Sequence, residues 1–429
     1  MKKRLISITA ILAAVALVTV LLLTLLPGGV QPAVAETLKS EKPRVTSPNI
    51  SPADQALLIE GNSAFALELY QALKGKEGNL FYSPHSISLA LAMTYAGARG
   101  QTAEQMADTL HFLLEPDRLH PAFNWLDAEL ATRGEGAEGK DGEGFRLNIV
   151  NAIWGQKDYS FLTEFLEVLA ENYGAGLRIL DFVDETEESL LAINQWVSDY
   201  TEGRIKDLIP EGAIDPFTRL VLTNAIYFNA AWEQPFDARS TANGRFYLLD
   251  GGEVTVPMMK GSQKVGYAQG AGYQAIELPY DGGELSMVIL LPGAGQFRAF
   301  EEGLEGQQVY EIVNKLQSAR ILLTMPRFEF HSDFSLSDTL TQMGMPVAFS
   351  GSADFSGMTG GRDLFISEVV HKAFVSVDEA GTEAAAATGV VMPTSMPPEV
   401  TVDRPFILLI RDIETGAILF VGRVLNPAA

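Results

Sequence analysis

The 429-residue sequence has no cysteine. That absence excludes a disulfide framework, a thiol nucleophile and a lipid-modified cysteine. Histidine is scarce: His85, His111, His120, His331 and His371 are the full set of five. None has the i, i+4 spacing of a metal-binding helix, and without thiolates a zinc site is not expected. No metal and no cofactor are implied. The Gly-x-Ser-x-Gly elbow is also missing, so a Ser–His–Asp hydrolase has no motif to stand on. Positive charge is short, with 31 Lys and Arg against 54 Asp and Glu, a formal net charge of −23. Such an acidic chain is a poor partner for nucleic acid or for heparin-like polyanions.

Hydrophobic residues make up 47% of the chain, enough for a sizeable core. Lys2, Lys3 and Arg4 precede an uncharged apolar run from Leu5 to Leu26, and Ala33-Val34-Ala35 offers a small-residue cleavage site. Residues 1–35 therefore read as a cleaved signal peptide. The run is also long enough to span a bilayer, so an uncleaved membrane anchor is the alternative. Either way the rest of the chain lies outside the cytoplasm, secreted or on the outer face of the membrane. Export without disulfides fits a bacterial source. Residues 36–51 are polar and proline-containing and read as a flexible linker.

Ser51-Pro52 then begins a helix that runs to about Lys74, with serine as cap and proline in the first turn. A short strand breaks at Pro84 and a second helix starts there. Arg133–Gly144 is charged and glycine-rich. Its Gly134-x-Gly136-x-x-Gly139 spacing imitates a dinucleotide loop, and Gly134–Lys140 imitates a phosphate loop. Both patterns need a preceding hydrophobic strand and a following helix, and neither is present. Leu220–Phe228 reads as a long buried strand. Phe365–Val377 reads as a strand pair or one bent strand, and Phe406–Ile410 with Ile418–Val424 as a closing hairpin.

The chain is organised around Asp378–Pro405, DEAGTEAAAATGVVMPTSMPPEVTVDRP. Four alanines suggest a helix. Gly381, Gly389 and Pro393 would confine it to about two turns, which is marginal alone. As a strand the stretch is more coherent, since side chains alternate between two faces. One face carries Thr382, Ala384, Ala386, Thr388, Val390, Met392 and Thr394, uncharged and small at its start. The opposite face carries Glu383, Ala385, Ala387, Gly389, Val391, Pro393 and Ser395. A segment of this kind can be an exposed loop or a strand slid into a tight slot.

These residues resemble the reactive-loop hinge of the serpins, inhibitors of serine proteases: an acid, then Gly-Thr-Glu and small residues. Three further segments carry the same resemblance: Asn79–Ser88 with Met93–Gly100, Leu220–Phe228, and Val400–Leu408. The resemblance covers about residues 52–427. It implies a single α+β domain over 52–429, with about nine helices, three sheets, a five-stranded main sheet and a reactive loop at about 379–404. It also implies a suicide substrate. The target protease cuts the loop and is held as an acyl-enzyme while the loop inserts into the main sheet.

By position, the resemblance makes Glu379, Gly381, Thr382, Glu383, Ala384, Ala385, Ala386 and Ala387 the hinge. It makes Ser83, Ser86, Asn224 and His371 the gate of the main sheet, with Trp232 and Arg327 supporting the loop base. Counting from Gly381 places the cut at Ser395–Met396, whereas counting back from Pro397-Pro398 places it at Thr394–Ser395. No Lys or Arg stands between Glu379 and Arg404, so the expected target is elastase-, subtilisin- or chymotrypsin-like and not trypsin-like. A monomer is expected. Two other readings stand beside this one: a non-inhibitory carrier or chaperone on the same fold, and a secreted hydrolase.

Overall fold

The computed structural model describes residues 30–134, 137, 146–382 and 397–429. The apolar run at the N-terminus lies outside them. So do most of the glycine-rich stretch, the expected hinge residues Glu383, Ala384, Ala385, Ala386 and Ala387, and the candidate cut at Thr394, Ser395 and Met396. Among the described residues no helix is long and apolar enough to cross a membrane.

Sixteen strands are described. They are β1 (Glu36–Leu38), β2 (Leu80–Tyr82), β3 (Arg146–Gln156), β4 (Leu177–Leu180), β5 (Leu220–Ala231), β6 (Ala242–Tyr247), β7 (Glu253–Gly270) and β8 (Tyr273–Pro279). The others are β9 (Leu285–Pro292), β10 (Gln317–Pro326), β11 (Phe328–Ser335), β12 (Ile366–Val377), β13 (Gly381–Thr382), β14 (Glu399–Thr401), β15 (Phe406–Asp412) and β16 (Ile418–Val424). Ten α-helices accompany them among the described residues. The first, Pro52–Leu73, starts as its residues dictate: the Ser51 hydroxyl accepts the Asp54 N–H at 3.2 Å, with proline in the first turn. It buries Leu58, Phe65, Leu69 and Leu73.

The main sheet runs β1-β4-β3-β5-β13-β12-β11. Five of these, β4, β3, β5, β12 and β11, form its body. β1 covers one edge, and the two-residue β13 stands between the upper ends of β5 and β12. Below β13, β5 and β12 pair directly and in parallel, from Leu220 opposite Ile366 to Tyr227 opposite Phe374. Phe365–Val377 contributes one strand with a bulge between Ile366 and Glu368 rather than two strands. Parallel strands buried on both faces are near-continuous in apolar residues, as β5 is.

The remaining strands form one ladder, β14-β10-β7-β8-β9-β15-β16-β2, with β6 paired to β7. The 18-residue β7 explains this continuity. It pairs β6 along Glu253–Met258, β10 along Met258–Tyr267 and β8 along Gly266–Gly270, so it links what would otherwise be two sheets. The closing hairpin β15–β16 is almost wholly buried. There Phe81 of β2 stacks on Phe420 with centroids 4.9 Å apart.

Residues 36–51 correct the linker expectation. β1 pairs antiparallel with β4, with Thr37 opposite Arg178. Lys42 meets Glu167 at 2.9 Å and Glu171 at 3.2 Å, and Arg44 meets Asp127 at 2.5 Å. The Val45 N–H donates to the Glu171 carbonyl at 2.9 Å, and the Val45 carbonyl accepts from Asn124 Nδ2 at 2.7 Å. Gly176 permits the approach, since a Cβ there would lie 2.7 Å from the Leu38 carbonyl oxygen. A polar stretch reads as a linker because it has no apolar face. An exposed sheet edge pairs through its backbone groups, and here the ion pairs of Lys42 and Arg44 hold the chain beyond it.

Candidate functional site

The site has two parts on the seam between β5 and β12. In the middle of the seam, Asn224 stands opposite His371. The imidazole is fully buried. Its Nε2 accepts the Ser83 N–H at 3.2 Å, so Nδ1 carries the proton and donates to Asn224 Oδ1. Burial pushes the His371 pKa down to about 3, so the ring is neutral at neutral pH.

Asn224 Nδ2 donates onward to Ser86 Oγ at 2.6 Å and to Asn151 Oδ1 at 2.5 Å. Ser83 caps the Pro84–Tyr95 helix by accepting the Ser86 N–H at 3.1 Å. The four residues expected to gate the sheet, Ser83, Ser86, Asn224 and His371, are thus in one network. A fifth member, Asn151, was not foreseen. It faces Asn224 from β3 and donates through Nδ2 to the Ser86 carbonyl at 3.1 Å. Its only sequence signal is a polar residue in an otherwise apolar stretch of strand, and the strand register that makes it a partner is not written locally.

At the top of the seam the chain leaves β12, turns over Asp378–Ala380 and re-enters as β13. Gly381 pairs with Ala231 and Thr382 with Ala230, while Thr382 also pairs with Val377. The fit is tight at Gly381, where a Cβ would lie 2.2 Å from the Ala230 carbonyl oxygen and 2.6 Å from Ala231 Cα. Glu379 is 6% exposed. Its carboxylate meets Arg327 Nε at 3.2 Å and accepts the Thr241 hydroxyl at 2.5 Å. Arg327 remains 45% exposed, so the ion pair itself contributes only ~0–1 kcal/mol.

Trp232 stacks on Tyr280 at 4.7 Å and donates through Nε1 to the Asp378 carbonyl at 3.0 Å. Backbone bonds complete the support: Trp232 N–H to the Ala380 carbonyl at 2.8 Å, and Phe236 N–H to the Glu379 carbonyl at 2.6 Å. Trp232, Arg327, Glu379, Gly381 and Thr382 therefore meet at one place. Thr241 and Tyr280 join them from segments that carry no motif. The arrangement is a sheet with one seam pinned by side chains in its middle and wedged open by two residues at its end.

Comparison with known proteins bears on what such a seam is for. A serpin-like protein of Thermococcus kodakarensis is 40% identical over 376 residues, covering 86% of each chain. The leukocyte elastase inhibitor A of Mus musculus is 41% identical over 385 residues, covering 86% of this chain and 99% of its own. Among solved structures, native tengpin, a thermophilic serpin, superposes with a TM-score of 0.80 at 28% identity, covering 92% of this chain and all of that one. The family model described as Serpin (serine protease inhibitor) matches residues 60–427, and the chain belongs to the serpin family.

Proposed function

We propose that this protein inhibits a serine protease as a single-use trap. The target's serine Oγ attacks the carbonyl carbon of the loop's scissile bond. The C–N bond breaks, the new amine leaves with the proton, and the loop's carbonyl is left as an ester on the protease. The freed loop then enters between β5 and β12. About fifteen residues at ~3.3 Å each would carry the attached protease roughly 50 Å. Each new ladder hydrogen bond contributes ~1 kcal/mol net. Distorting the protease removes its oxyanion donors, and losing one such donor slows deacylation ~10²–10³-fold.

The observation that carries this reading is the position of β13. The loop's first residues already lie between the two strands that would have to part. A small, uncharged face on Thr382, Ala384 and Ala386 suits entry, whereas a carrier has no need of it. Relatives named leukocyte elastase inhibitors, and a loop without Lys or Arg, favour an elastase-like target. The cut falls at Thr394–Ser395 or Ser395–Met396. The apolar N-terminal run favours action outside the cytoplasm.

Mixing the protein with a panel of elastase-, subtilisin-, chymotrypsin- and trypsin-like enzymes tests the proposal. A complex that survives denaturing electrophoresis is expected with an elastase-like member, and the mass of the released fragment identifies the bond. Cleavage of the loop by every enzyme with full recovery of protease activity would overturn the reading.

A further inference from the structure

The turn at the top of β12 is built on a side chain that the trap does not otherwise use. Asp378 Oδ1 accepts the Ala380 N–H at 2.8 Å and the Gly381 N–H at 3.3 Å. The Asp378 N–H donates to the Gly381 carbonyl at 2.9 Å. Its own carbonyl takes the Trp232 indole N–H at 3.0 Å. One residue thus binds both polar groups of Gly381. The motif is an Asx-turn, in which an aspartate side chain stands in for a backbone carbonyl. It reverses the chain so that Thr382 faces Val377.

A turn sets the register of the hairpin that grows from it. A register slip of one residue would point Glu383 into the face meant for Thr382 and Ala384. Closing a loop also costs entropy before any pairing compensates it, and a preformed turn removes that step. Glu379 cannot do this work, because its buried carboxylate is taken up by Arg327 and Thr241.

We propose that Asp378 is a positioning residue for loop insertion. Its carboxylate keeps the hairpin turn closed in the uncut protein. A severed loop therefore zips into the seam from Thr382 in one register, without a search. The inference rests on the trap reading. It adds that the race between insertion and hydrolysis of the ester is set partly at Asp378, far along the chain from the cut.

The test compares Asp378→Ala, which loses both side-chain hydrogen bonds, with Asp378→Asn, whose Oδ1 can still accept them. Circular dichroism first establishes that both variants are folded. Amide exchange of Ala380 and Gly381 in the uncut protein is expected to speed up at least ~10-fold in Asp378→Ala and to stay near wild type in Asp378→Asn. Insertion slowed ~10-fold corresponds to ~1.4 kcal/mol in its barrier. It would raise the moles of inhibitor consumed per protease trapped several-fold in Asp378→Ala, with the excess recovered as cut, free inhibitor. The rate of first cleavage should be the same for all three proteins.

Equal stoichiometry for wild type and Asp378→Ala overturns the inference. So does equal impairment of both variants, which would assign the effect to the charge and not the turn. Should the wild-type protein trap no protease, the trap reading fails by itself. Nicking the three proteins with an unrelated protease then still reports insertion, by the rate at which heat resistance appears. Identical rates in that arm overturn the role of Asp378.

Discussion

His371 and Asn224 face each other across the parallel pairing of β12 and β5, joined by a hydrogen bond from His371 Nδ1 to Asn224 Oδ1. Both residues are fully buried, so neither partner can turn to water when the other is removed. Asn224→Ala should therefore destabilise the uncut protein by ~1–3 kcal/mol, the cost of an unsatisfied buried polar group. The midpoint of urea unfolding should fall, with an unchanged slope. An unaltered midpoint would remove the network from any account of how the seam is held.

Acid should act through the same ring. Burial lowers the pKa of His371 to about 3, and those of His85 and His120 to about 4. In the unfolded chain these groups titrate near ~6.5, so between that value and their folded pKa values the unfolded state binds more protons. Their contribution to stability is complete above ~6.5 and is lost as pH falls, by up to ~1.4 kcal/mol per histidine per pH unit. The unfolding midpoint should be flat from pH 7 to 8 and decline between pH 6 and 5, before carboxylates titrate. A midpoint equal at pH 7 and pH 5 would show that the three rings are not held neutral.

Glu379 and Arg327 should respond unequally to substitution. Arg327 is half-exposed, so Arg327→Ala should cost ~1 kcal/mol or less, and less still at high salt. Glu379→Ala also strands the part-buried Thr241 hydroxyl and should cost more. Thermal melts of the two variants at low and high ionic strength check the order.

Trapping should fail when the entering face is made large and charged. Thr382→Arg or Ala384→Arg would force a cation into the seam between β5 and β12. A protein that is cut and released as a substrate is expected, visible as a cleaved band without covalent complex. Nicking the wild-type loop with a non-target enzyme should in turn raise the melting temperature sharply, because the loop then supplies a new central strand.

The N-terminal strap can be tested by removal. Arg44→Ala loses the contacts to Asp127 and Asn124, and a chain beginning at Ser51 loses β1 entirely. The truncation should lower stability by a few hydrogen bonds' worth, ~1–3 kcal/mol. Gly176→Val should do part of the same, by driving Leu38 off the edge of β4.

The serpin architecture was legible because four separated segments each carry a recognisable string of residues, and because helix caps such as Ser51 and Ser83 act locally. Ser83, Ser86 and Asn224 sit within those strings, and His371, Trp232 and Arg327 could be named by position relative to them. Asn151, Thr241 and Tyr280 could not. Each owes its place to strand register or to packing from a distant segment, and nothing beside it in the chain encodes that. The strap at 36–51 was misread for a related reason, since backbone pairing to an open edge leaves no mark on side-chain composition.

Gly381 presses its bare Cα against the carbonyl of Ala230, with no room for one methyl group. On the proposed trap, a resting molecule packed this way has already taken the first step of its own rearrangement. Its starting point is not the beginning of the journey. Any side chain placed at 381 would collide with Ala230 and Ala231, and on the proposed trap the whole protein would then wait one stage earlier than it does now.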